Sequence, residues 1–304
     1  MSYVSRYLDP SLVERLRRLQ LSARSVVQGS ITGLHRSPVK GASVEFRQHR
    51  AYARGDEPRR LDWRLLGRTD RPFVKEYEEE TNLRCVLALD CSGSMAYGQK
   101  FGTKFDYAAQ LVAALAWLML QQTESVGLAL LADQLDVWLK AGATPQQLFR
   151  IIDALDRAQV GGGSALARAM HDVADRLERR ALVVVVSDFF CPADQLRSGL
   201  AHLRHDRHEV IAVQVTDRDE EEFPFGSWRR FRGLEGEEPW LAEPSLLRQT
   251  YLDNFRRHRQ QLQESCRAMD VELESFVTDR PLADALESYL LRREGRRVPS
   301  AAPA

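Results

Sequence analysis

Asp90-Cys91-Ser92-Gly93-Ser94 closes the apolar run Cys85-Val86-Leu87-Ala88-Leu89. A buried strand that stops at a carboxylate and then presents two hydroxyls at alternate positions gathers hard oxygen donors on one turn. That donor set suits Mg²⁺ or Mn²⁺ rather than Zn²⁺ or Cu²⁺. Gly93, between the hydroxyls, lets the backbone turn sharply. Two further oxygen donors stand at comparable places: Ser164 after Gly161-Gly162-Gly163, and Asp188 at the end of Leu182-Val183-Val184-Val185-Val186-Ser187. Taken singly, Asp90 and Ser164 are also good helix N-caps. Taken together, Asp90, Ser92, Ser94, Ser164 and Asp188 make a candidate metal site.

For residues so far apart to share one ion, the chain must fold so that strand ends converge. From Arg84 onward the pattern alternates. Strands are expected at 84–90, 125–131, 136–139, 182–187 and 209–215, and helices at about 103–122, 145–158, 164–179 and 193–204. Short apolar runs alternating with helices predict an α/β fold, a doubly wound, mostly parallel sheet covered on both faces. In such sheets ligands bind beyond the carboxyl ends of the strands, where strand order reverses. Asp90 and Asp188 both fall at carboxyl ends. A hairpin insertion is expected near 226–242, followed by a long helix at about 245–269, a strand at 271–277 and a closing helix at 281–292. The expected division is residues 1–82 as an N-terminal helix and strand-rich extension, 83–292 as the α/β domain, and 293–304 as a disordered tail.

The 304 residues carry 43 basic and 43 acidic side chains, so no global charge favours nucleic acid or a membrane surface. Basic residues exceed acidic ones from Gly33 to Lys75, but no aromatic stacking pattern interleaves them and nucleic acid is not an expected partner. Met1 to Arg6 lacks the apolar core of a signal peptide, and Tyr107–Leu120 is too short to span a bilayer. A cytoplasmic chain without membrane anchoring is the expectation. Cysteines 85, 91, 191 and 266 have no C-x-x-C spacing. Cys91 reads as core filler, and His202, His205 and His208 read as a solvated face rather than zinc ligands.

The order Asp90, Ser92, Ser94, a later hydroxyl and a later Asp resembles the metal-ion-dependent adhesion site of von Willebrand factor A domains. The usual third hydroxyl there is threonine; Ser164 supplies the same oxygen with more rotamer freedom. Upstream, Gly41-Ala42-Ser43-Val44-Glu45-Phe46-Arg47, Gly55-Asp56-Glu57-Pro58-Arg59-Arg60-Leu61-Asp62-Trp63 and Lys75-Glu76-Tyr77 resemble the bacterial domain-of-unknown-function 58 family. This resemblance implies a von Willebrand A-like fold with an N-terminal extension, and a role as partner or adaptor of MoxR-type AAA+ ATPases. In the Gly55–Trp63 stretch, Trp63 is expected to pack its ring on the domain.

The leading expectation is an interaction module in which Ser92, Ser94 and Ser164 bind Mg²⁺ or Mn²⁺ directly. Asp90 and Asp188 hold coordinating waters, and a partner's carboxylate fills the open position. Two alternatives stand beside it. One is a Mg²⁺-dependent phosphoryl hydrolase with Asp90 as nucleophile and Lys100 or Lys104 as the phosphate-binding cation. The other is a degenerate site in a domain that binds its partner without metal.

Overall fold

The computed structural model describes residues 6–16, 44–52, 63–69, 72–79, 84–98, 100–163, 165–205, 207–236 and 238–295. The chain forms two units, one of residues 26–82 and one of 1–25 with 83–304.

In the smaller unit, β1 (Val44–Ala51) and β2 (Phe73–Glu79) pair antiparallel, with a register shift between Phe46 and Gln48. Between them lies a short helix, α2 (Trp63–Thr69). The strand-rich character expected of this region is present as this pair, whereas the Gly55-to-Asp62 stretch lies outside the described residues. Trp63 opens this helix and is 66% exposed.

The larger unit begins with α1 (Pro10–Leu16). This helix was expected to accompany the strand-rich extension. Instead Leu12 and Leu16 are buried, Arg15 pairs with Asp284 and Glu287, and Arg6 pairs with Asp106 and Asp156. Two apolar side chains on one face of a two-turn helix have to be covered, and the α/β unit covers them.

The central sheet contains β3 (Arg84–Asp90), β4 (Ser125–Leu131), β5 (Leu135–Gly142), β6 (Leu182–Ser187), β7 (Glu209–Thr216) and β10 (Glu272–Val277), the last named after the small hairpin strands introduced below. Their spatial order is β10-β7-β6-β3-β4-β5, and every pairing is parallel except β4 with β5. The inner strands β3, β4, β6 and β7 are buried along nearly their whole length, as near-continuous apolar runs in a two-face-covered sheet require. The edge strand β5 is longer than expected and mostly half-buried, with Asp136 and Lys140 exposed. Chain order reverses at β3: the next strand lies on one side of it and β6 on the other. The carboxyl ends of β3 and β6 therefore flank the crevice expected to take a ligand.

Helix α3 (Lys104–Gln121) is the most buried helix that follows β3. A capping box starts it: Thr103 Oγ1 accepts from the Asp106 N–H, and the Asp106 carboxylate accepts from the Thr103 N–H. Further helices are α4 (Pro145–Asp156), α5 (Leu166–Arg176), α6 (Ala193–His205), α7 (Arg218–Glu222), α8 (Pro244–Ala268) and α9 (Leu282–Gly295). Helix α7 was not foreseen; Asp217 and Glu220 form a second capping box at its start. Strands β8 (Arg229–Phe231) and β9 (Trp240–Ala242) pair antiparallel as the expected hairpin. Helix α9 runs past the expected end at 292. Arg293 is buried, donating to the Tyr289 hydroxyl and to Glu209 2.9 Å away, which holds α9 together through Gly295. No helix among the described residues is long and apolar enough to cross a membrane.

Candidate metal centre

Strand β3 delivers Asp90 to the sheet's carboxyl edge with its side chain 3% exposed. One carboxylate oxygen accepts the Ser92 N–H at 2.8 Å, and the other accepts the Ser187 hydroxyl at 2.6 Å. Burial, and then the nearby Asp188 charge, push its pKa up to about 6. A carboxylate so placed gains from a cation close by. Both of its oxygens are already oriented, so it is suited to hold an ion's water rather than to chelate the ion.

The chain then turns through a 3₁₀ segment, Gly93–Ala96. Ser92 Oγ and Ser94 Oγ end 3.1 Å apart. Adjacent ligands of an octahedral Mg²⁺, at roughly 2.0–2.1 Å from the ion, lie about 3 Å from each other. The two hydroxyls therefore stand at the spacing of neighbouring ligands, which is the observation by which the chain fits the metal. Cys91 is buried, its N–H donates to the Leu131 carbonyl, and burial pushes its thiol up to about 12, so it is inert filler as expected.

The Gly161–Gly163 loop is stitched to this turn. The Gly93 N–H donates to the Gly162 carbonyl at 3.1 Å, and the Gly161 N–H to the Cys91 carbonyl at 3.0 Å. Gly162 needs its glycine, with φ at +81°. Ser164 itself lies outside the described residues.

Strand β6 brings Asp188 to the same edge. Its Oδ1 accepts the Phe190 N–H at 3.1 Å, and the Ser187 hydroxyl oxygen accepts the Phe189 N–H at 2.8 Å. The residue between, Phe189, is fully buried and left-handed at φ +59°. A non-glycine residue there costs on the order of 1–3 kcal/mol, held in place here by the two side chains that accept successive amides. The turn that aims Asp188 is thus built by Ser187, which sequence reasoning passed over although it directly precedes the chosen aspartate.

Lys104 was also misread. Sequence made it a candidate phosphate-binding cation; in the structure its side chain is fully buried at the start of α3. Its Nζ lies 2.7 Å from Asp188 Oδ2 and 2.6 Å from Glu220 Oε1, and 5.1 Å from the centre of the Phe190 ring. Burial opposes the ammonium's charge, but Asp188 and Glu220 outweigh it and raise its pKa. A lysine so engaged is withdrawn from any substrate. Glu220 is itself fixed, its other oxygen accepting the Asp217 N–H at 2.8 Å.

His208 departs from the expected solvated face. The His202 Nδ1 faces His171 Nδ1 at 2.8 Å, and His208 is buried with Nδ1 accepting the Ala181 N–H. Among the described residues no three His, Cys, Asp or Glu side chains converge on a point. The candidate centre owes its donors to serine hydroxyls.

The hairpin leans over this centre. A Cβ at Gly93 would stand 2.1 Å from the Leu234 carbonyl oxygen and 3.0 Å from that of Gly162, so only glycine fits between the two loops. Beside Ser94 opens a cleft of about 680 Å³ lined by Phe190, Phe231, Leu234, Trp240 and Tyr251. Phe223 ties its floor together, stacking on Tyr251 with ring centres 4.5 Å apart. Trp228, Trp240, Leu241 and Leu246 are exposed on the hairpin and the first turn of α8.

A doubly wound sheet ordered about β3, one antiparallel edge strand, and a hydroxyl-bearing turn at the reversal point define a von Willebrand A-like α/β domain. The chain belongs to the family described as protein of unknown function DUF58, whose model matches residues 48–261. Uncharacterized proteins of Mycobacterium bovis and Mycobacterium tuberculosis are 29% identical over 297 residues, covering 94% of this chain and 92% of theirs. Among solved structures, the conserved hypothetical protein BatB from Bacteroides thetaiotaomicron superposes with a TM-score of 0.45 at 13% identity, over 70% of this chain and 99% of that one. The VWA domain of SpRpn10 gives a TM-score of 0.41 at 13% identity, over 74% of this chain and all of that one.

Proposed function

We propose that this chain is a metal-dependent protein-interaction module and not an enzyme. Ser92 and Ser94, with Ser164 as the third hydroxyl, hold Mg²⁺ or Mn²⁺; Asp90 and Asp188 neutralise it through its waters. The ion's remaining position takes a carboxylate of a partner protein. The observation that carries this reading is the 3.1 Å Ser92–Ser94 hydroxyl pair beside the buried Asp90. With few anionic ligands touching it directly, such an ion stays electrophilic and favours an outside carboxylate. The exposed tryptophans and leucines next to the cleft supply apolar area of the kind found at the centre of protein interfaces.

By the family resemblance, the partner is a MoxR-type AAA+ ATPase, met in the cytoplasm. The hydrolase reading loses Lys104, which is buried between two carboxylates, and keeps only the exposed Lys100 as its cation.

The test is binding of such a purified ATPase to the immobilised chain in Mg²⁺ and in EDTA, with Ser92→Ala in Mg²⁺ as the control for the ATPase's own use of magnesium. Binding is expected only for the wild type in Mg²⁺. Equal binding by wild type in EDTA, or by Ser92→Ala in Mg²⁺, would favour a metal-free interaction domain.

A further inference from the structure

Lys104 is a fully buried ammonium one residue layer behind the candidate centre. It takes Asp188 Oδ2 at 2.7 Å, while the other Asp188 oxygen is held by the Phe190 N–H at 3.1 Å. Asp188 therefore reaches the crevice with both oxygens already engaged. Asp90, Asp188 and Glu220 carry three negative charges when ionised, and Lys104 removes one of them from the balance facing a bound cation.

We propose that Lys104 is a positioning residue for the cation site, a resident cation that holds Asp188 back from the metal and keeps the bound ion under-neutralised. The inference rests on the metal-dependent reading above and gives it a cause. An ion facing a free Asp188 would be better satisfied by the chain itself, binding more tightly and wanting a partner's carboxylate less. Lys104 shifts that balance toward weak ion binding and strong capture of an outside carboxylate. Burying an ammonium costs several kcal/mol before its pairings offset it. Its geometry accounts for that cost: two short ion pairs, and the Phe190 ring 5.1 Å from its Nζ. Glu220, a member of the α7 capping box, ties the same ammonium to the segment that leads into the hairpin.

The experiment is calorimetric titration of the full chain with Mn²⁺ alone, after removal of metal with EDTA. Wild type is compared with Lys104→Met and with the double variant Lys104→Met/Glu220→Gln. The double variant also removes the carboxylate that Lys104→Met strands, so it keeps the wild-type net charge and carries the test if the single variant does not fold. The expected result is Mn²⁺ binding at least tenfold tighter in Lys104→Met and still severalfold tighter in the double variant. A lysine with only a structural role would leave the affinity unchanged or lower it. Wild-type binding with no tightening in the double variant would overturn the role of Lys104 and leave the metal reading standing. Absence of Mn²⁺ binding in all three would overturn the metal reading and this inference with it.

Discussion

Asp90→Ala is expected to abolish Mg²⁺-dependent stabilisation and, in EDTA, to lower stability by about 2–3 kcal/mol. Both effects have named causes. The substitution orphans two buried donors, the Ser92 N–H and the Ser187 hydroxyl, each of which now bonds one carboxylate oxygen. Leaving such a group unpaired costs roughly 1–3 kcal/mol. The loss is partly offset because Asp90 is already unfavourably placed, desolvated and next to Asp188, as its raised pKa records. Asp90→Asn keeps the shape and one acceptor, so in EDTA it should melt within about 1 kcal/mol of wild type. It should nevertheless fail to respond to Mg²⁺. Chemical denaturation of the three proteins with and without metal separates the two effects. Retention of the Mg²⁺ response in Asp90→Ala would remove Asp90 from the site.

Gly93→Ala is expected to cost about 2–3 kcal/mol, by overpacking rather than by lost bonds. The added methyl would meet the Leu234 carbonyl oxygen at 2.1 Å, and both neighbours are backbone. The hairpin loop has to withdraw or the metal turn has to open. In either case Ser92 and Ser94 leave their spacing, so Mg²⁺ affinity should fall more than tenfold. Hydrogen exchange locates the damage: the paired strands Arg229–Phe231 and Trp240–Ala242 should lose protection, whereas β6 and β7 should not. Unchanged exchange in the hairpin together with wild-type stability would contradict the close approach of the two loops.

The parts of this architecture that could be read in the sequence are those governed by local pattern. β3 and β6 matched because a run as short and, at Val183–Val186, as rich in β-branched residues as Leu182–Val186, bounded by polar residues, favours a buried strand over a helix. The reversal of strand order followed from alternation of strands and helices. That placed Asp90 and Asp188 at one edge of the sheet. The hairpin near 226–242 was marked by its glycines.

What failed was whatever depended on tertiary pairing. Lys104 reads as an exposed cation at a helix start; only the arrival of Asp188 and Glu220, 84 and 116 residues later, explains its burial. Ser187 is one more small residue in a strand until the turn at Phe189 is seen. The placement of α1 followed the wrong neighbour because a two-turn helix does not encode which surface will cover it. Arg293 looked like the start of a charged tail, and its anchors Glu209 and Glu272 lie on different strands.

The central claim, that the Asp90–Ser94 turn is a cation site, is tested most directly by thermal unfolding of the wild-type chain in EDTA and in excess Mg²⁺. Ser92→Ala/Ser94→Ala is measured in parallel. A ligand held only by the folded state, at 100 times its dissociation constant, adds about 2.7 kcal/mol. The account predicts a rise of that size in the wild type and none in the double variant. Identical wild-type melting in EDTA and Mg²⁺ would contradict it.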